Sequence, residues 1–119
     1  MNSVQLIGNL GTTPILRHVD TSGKAVLNLS LAVDRTRKKD GKTIANTNWF
    51  DITLWGPQAT YQAEHLSRGD LIGVQGELNA RTWVDREGNK RHSVEVTAHT
   101  ITWLKVQSTQ IKNTKKATT

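Results

Sequence analysis

The sequence predicts an all-β domain that curls into a small barrel, and three observations carry that class. Apolar residues recur at every second position in five segments. Turn residues and basic loops separate those segments, and only one stretch, after the third, carries helical end signals. At 119 residues and 35% hydrophobic content, the chain is long enough for one modest core and too short for two.

The first strand is SVQLIGNLG (3–11), with Val4, Leu6, Gly8 and Leu10 in one phase. Its glycines relieve crowding in a curled strand. TTPILRHVDTSGK follows as a turn region with a Thr-Ser-Gly signal at 21–23. The second strand, AVLNLSLAVDR (25–35), sets Leu27, Leu29, Leu31 and Val33 against Asn28, Ser30 and Asp34. The third is NTNWFDITLWG (46–56), with Phe50, Ile52 and Leu54 on one side and Trp49, Asp51, Thr53 and Trp55 on the other. PQATYQAEHLSRG is the helix: Pro57 suits its first position, Gly69 its end, and Tyr61, Ala63 and Leu66 are expected on one face.

DLIGVQGELNARTW (70–83) makes the fourth strand, with Ile72, Val74, Leu78 and Ala80 inward and Gln75, Glu77, Asn79, Arg81 and Trp83 outward. DREGNKR (85–91) is a hairpin loop, and HSVEVTAHTITWLKV (92–106) the fifth strand. Its phase slips between Ala98 and Ile101, which implies a bulge near His99 and Thr100. The order β-β-β-α-β-β is that of the OB-fold, a five-stranded Greek-key barrel with one short helix between strands three and four. The domain is expected to span residues 1–106, and residues 107–119 to form a basic, disordered tail.

Sixteen Lys and Arg against ten Asp and Glu leave a formal charge of +6. The segment RTRKKDGK (35–42) holds five bases and one acid. A basic balance favours nucleic acid over membrane as partner, since no amphipathic helix is visible to lie on lipid. The chain has no cysteine, and no apolar run approaches membrane length. With no secretory signal in MNSVQLIGNLG, a soluble cytoplasmic protein is expected. The four histidines, at 18, 65, 92 and 99, lack metal-ligand spacing, and no nucleophile motif or phosphate-cradling glycine loop is present. The expectation is a protein that is not an enzyme and takes no metal or cofactor.

The tryptophans carry the functional reading. Four of the six aromatic residues are Trp. Trp49, Trp55 and Trp83 share the polar phase of their strands, where a large ring needs a partner: a subunit interface, a barrel rim, or a stacked base. Beside RTRKK and NKRH, stacking on unpaired bases is the better account, because every base has a π-face. Phosphate contacts are expected from a flexible loop carrying Arg35, Arg37, Lys38, Lys39 and Lys42, and from Arg81, Arg86, Lys90 and Arg91 on the second hairpin. Arg17 is a weaker candidate. Trp103 shares the phase of Ile101 and reads as core or interface.

MNSVQLIGNLGTTPILR, LSLAVDRTR, NWFDITLWG, HLSRGDLIGVQGEL and RTWVDREGNKRHSVEV, in that order, resemble the successive motifs of the bacterial-type single-stranded DNA-binding proteins, the SSB family. The resemblance covers roughly residues 1–106. It implies an OB-fold, a homotetramer (or at least a dimer) wrapped by single-stranded DNA in replication, recombination and repair, and Trp49, Trp55 and Trp83 at base-stacking positions. Two departures stand out. Arg37 occupies the place where the family commonly has a further stacking aromatic, and KNTKKATT carries no acid where the family's partner-recruiting acidic tip would lie. The alternatives from the residues are an OB module acting within a primosome-type assembly and an RNA-binding OB protein.

Overall fold

The computed structural model describes residues 1–19 and 23–105; the expected tail lies outside them. The elements run β1 (Val4–Leu10), β2 (Ile15–Val19), β3 (Lys24–Lys39), β4 (Lys42–Trp55), α1 (Pro57–His65), β5 (Leu71–Val84) and β6 (Lys90–Lys105). β1 pairs antiparallel with β5 and, through Asn9–Ala32 and Leu10–Leu31, with β3. β3 pairs with β4 and β5 with β6 as long antiparallel hairpins, while β4 meets β6 in parallel at Ile52–Val96 and Thr53–Thr97. The pairings therefore run in a ring from β1 through β5, β6, β4 and β3 back to β1, with β2 added outside along β3.

The alternating leucines dictate this ring. Leu27, Leu29 and Leu31 of β3 face inward with Ile52 and Leu54 of β4, and Leu10, Ile72, Val74, Val96 and Ala98 complete the packed interior. Each such aliphatic side chain contributes roughly 1.5–3 kcal/mol when fully buried. A Cβ on Gly8 would collide with the Ala32 carbonyl, so the absence of a side chain lets β1 cross β3.

Among the described residues six strands stand where five were expected. ILRHV lies in the segment read as a turn, yet it pairs with β3 from Ile15–Asn28 to Val19–Lys24. Its own pattern is mostly exposed, so apolar alternation does not mark it; the long neighbour β3 supplies the hydrogen bonds that make it a strand. The third strand is also longer than its apolar pattern, and the loop expected at 35–42 is regular ribbon. β3 and β4 pair without a break from Val26–Trp55 to Lys39–Lys42, and the chain reverses over Asp40 and Gly41 alone, at φ 53° and 74°. Both turn residues are left-handed, which matches the twist of the flanking strands.

The expected bulge is present: Gln75 pairs with Thr100 and Gly76 with Ala98, leaving His99 as the extra residue. Two inward assignments fail for one reason. Leu78 and Ala80 keep the inward phase, but beyond Gly76 the β5–β6 hairpin projects past the barrel and none of the described residues covers that face, so both are exposed, as is Val94 across from Ala80. The helix face is corrected too. Ala59 and Leu66 are buried and Ala63 packs against the core, whereas Tyr61 is exposed and stacks on His65 with ring centroids 4.2 Å apart. At about 100° per residue, Tyr61 points roughly 160° away from Ala59.

Trp103 is half-exposed (47%), which removes it from the core. It pairs with the buried Ile72 and so keeps the expected phase. It stands near the end of β6, and its Nε1 donates to Oδ2 of the buried Asp70 at 3.1 Å.

Candidate nucleic-acid interface

Strand pairing converts the polar phase of β4 into a surface. Trp49 lies opposite Ala32, Asp51 opposite Ser30, Thr53 opposite Asn28 and Trp55 opposite Val26. Small or short residues across from each ring leave the indoles standing clear: Trp49 is 62% and Trp55 41% exposed. Gly11 enlarges that space, since a Cβ there would overlap the Trp49 ring. The outer half of hairpin β5–β6 also carries a ring on its polar face, with Trp83 (41% exposed) opposite Arg91, Arg81 opposite Ser93 and Asn79 opposite Glu95.

Beside Trp55 runs a cleft of about 500 Å³. Arg17 and Val19 of β2, Asn28 and Ser30 of β3, Asp51, Thr53 and Trp55 of β4, Arg81 of β5 and Glu95 of β6 line it. Thr53 is itself buried (4% exposed), with its hydroxyl 3.3 Å from Glu95 Oε2 and 3.4 Å from Asn28 Oδ1. Two cations lie over the rings: Lys24 Nζ is 5.5 Å from the Trp55 ring centroid, and the Arg81 guanidinium is the same distance from that of Trp83. Both pairs are within cation–π range.

The nine basic residues expected to meet phosphate divide by face. By strand alternation, Lys38, Arg81 and Arg91 share the face of the tryptophans on their hairpins. Arg35, Arg37, Lys39, Lys42 and Lys90 take the opposite face, and Arg86 sits in the second turn. Arg37, which stands where a stacking aromatic was expected, pairs with Ile44 and so lies off the Trp49 face. Arg91 is already engaged, its Nε donating to Asp85 Oδ2 at 2.9 Å.

Sequence reasoning misses Lys24. Its signal is parity: positions 24, 26 and 28 share a face, but only the pairing of Val26 with Trp55 reveals that this face belongs to the cleft. The weaker candidate Arg17 gains by the same route, carried into the cleft lining by the strand that alternation did not mark.

The sequence profile described as the single-strand binding protein family matches residues 1–104. The chain belongs to the single-strand binding protein family. The family match ends within β6 and so takes in the ring of strands and both hairpins. Family members named single-stranded DNA-binding protein include protein 2 of Clostridium acetobutylicum, 38% identical over 104 residues, which are 87% of this chain and 77% of that one. Protein 1 of the same organism is 32% identical over 108 residues, covering 90% of this chain and 96% of that one. Among solved structures, one described as the Plasmodium falciparum SSB complex with ssDNA matches with a TM-score of 0.77 at 22% identity, over 87% of this chain and 95% of that one. That likeness is one of fold, and the fold is the OB-fold.

Proposed function

We propose that this protein binds single-stranded DNA with little regard to sequence, stacking bases on Trp49, Trp55 and Trp83 and meeting phosphates with the surrounding Lys and Arg. The single observation that carries the reading is the common exposure of three indoles on the polar faces of two hairpins, with Trp55 lining a cleft and cations over the rings of Trp55 and Trp83. Stacking contributes roughly 1–3 kcal/mol per base and requires no hydrogen-bond match. The names of the curated relatives agree with this chemistry.

The working form is a homotetramer of the cytoplasm, with a dimer as the lesser alternative, coating strands exposed in replication, recombination and repair. Exposed Ile7 and Leu104 beside a shallow hollow on β1, β5 and β6 support further burial between copies. The protein acts by binding and performs no chemistry. Among the described residues no helix is long and apolar enough to cross a membrane.

A tryptophan-fluorescence titration with oligo-dT, oligo-U and duplex DNA in parallel tests the reading. Strong quenching by oligo-dT with weak response to duplex is expected. Equal response to duplex and single strand would overturn it, and preference for oligo-U would move the assignment to RNA. Light scattering that returned a monomer mass at tens of micromolar protein would remove the tetramer.

A further inference from the structure

The cleft carries opposite charges at its centre and its flanks. In the order β5-β6-β4-β3-β2, its two carboxylates sit on central strands, Glu95 on β6 and Asp51 on β4. Its two guanidiniums sit on the outer strands, Arg81 on β5 and Arg17 on β2. A polyanionic backbone is drawn to the flanks and repelled from the middle, so a strand lying here must turn its bases toward the centre. There the bases meet a lining of Asn28, Ser30, Thr53 and two carboxylates.

Ionised carboxylates only accept hydrogen bonds. Cytosine presents an exocyclic N4 amine as donor, whereas thymine presents O4, an acceptor, at the same edge position. Glu95 is already partly oriented by the Thr53 hydroxyl at 3.3 Å, which leaves its second oxygen to address a base. We propose that Asp51 and Glu95 bias this cleft toward cytosine over thymine by accepting from the N4 amine and repelling O4. The inference deepens the single-stranded DNA reading and rests on it. Stacking supplies the affinity common to all bases, and the two acids grade it.

The test compares equal-length oligo-dC and oligo-dT at slightly alkaline pH, where cytosine is unprotonated. Wild type, the double variant Asp51→Asn with Glu95→Gln, and Trp55→Ala are each titrated by fluorescence anisotropy of labelled oligonucleotide. Melting curves establish that each variant is folded. Neutralising the two acids should lower the dC-to-dT affinity ratio by about five- to ten-fold, as expected for losing hydrogen bonds to charged acceptors. If both oligonucleotides instead tighten by the same factor, the acids act only as bulk charge and the inference fails. An unchanged ratio with unchanged affinities overturns it equally. Trp55→Ala separates this failure from that of the parent reading. If it weakens both oligonucleotides, bases do enter the cleft whatever the acids do; if it weakens neither, the cleft is not where bases lie.

Discussion

Hairpin β3–β4 reverses over two residues, Asp40 and Gly41, and sets Lys39 directly against Lys42 at its tip. Hairpin β5–β6 reverses over Asp85–Asn89, and one carboxylate ties it together. Asp85 Oδ1 accepts from the backbone N–H of Glu87 at 2.9 Å and of Asn89 at 2.8 Å, while Oδ2 accepts from Arg91 Nε at 2.9 Å. Both hairpins project past the barrel and both carry tryptophan on one face. They differ in what happens to their charge. Like charges directly opposed across a strand pair are destabilising, so the first tip holds repulsion that an anionic strand would relieve. The second tip neutralises one of its own bases and holds its shape without a ligand. The first hairpin is thus suited to following phosphates, and the second to presenting a ring in a set position.

The largest effect should come from removing that ring. Trp83→Ala is expected to weaken oligo-dT binding by roughly 1–3 kcal/mol while leaving the melting temperature unchanged. A lowered melting temperature with intact affinity would make Trp83 a structural residue of its hairpin and break the contrast.

Charge is tested next on the first hairpin. Replacing Lys38, Lys39 and Lys42 together by Ala should flatten the log–log salt dependence of oligo-dT binding by up to about 2 units, at about 0.7 for each phosphate no longer neutralised. Affinity at high salt should stay close to wild type, since stacking is uncharged. Lys38 alone shares the tryptophan face, so Lys38→Ala should change the slope more than Lys39→Ala or Lys42→Ala does. A slope equal to wild type in the triple variant, measured at three salt concentrations, would remove this tip from the site.

Trp103 serves as a control at the barrel's end, away from both tips. Trp103→Phe deletes the N–H that reaches Asp70 and should destabilise the fold by about 1–3 kcal/mol in urea melts. Affinity for oligo-dT should be unaffected. Weaker binding at unchanged stability would mean that the site extends to the barrel's end and the two hairpins do not act alone.

The smallest effect concerns pH. The Asn89 N–H, then the Arg91 guanidinium, hold the Asp85 carboxyl below its ordinary value, opposed by a small burial effect. A carboxyl lowered in the folded state contributes stability above its unfolded value, about 3.9, and loses it as pH falls through the folded value. The Glu87 and Asn89 amide resonances should therefore titrate together below that ordinary value. A shared midpoint at or above the ordinary value would show that the tie is absent in solution.

Much of the fold was legible because a two-residue period is a local property. Leu27, Leu29 and Leu31 against Asn28 and Ser30 mark a strand whatever lies beside it, and the slip between Ala98 and Ile101 put a bulge near His99 and Thr100, where His99 is the extra residue. The tryptophans were legible for the same reason: Trp49 and Trp55 share parity with Asp51 and oppose Phe50 and Ile52. β2 was not legible, since its residues are mostly exposed and it is a strand by virtue of β3 alone. Leu78 and Ala80 were misplaced because parity says which face a side chain takes and nothing about whether another layer covers it.

Periodicity along the chain by itself determined the order of the apolar strands, the face each aliphatic side chain takes and the side of each hairpin that bears its rings, because each follows from backbone geometry within a few residues. Only the tertiary structure decided which faces meet. It set Val26 beneath Trp55 and so brought Lys24 over that ring, laid Arg17 along the cleft, and left Trp103 half-exposed against Asp70. Those facts depend on pairing between segments distant in sequence, where register and barrel length are set by the packing of the whole core.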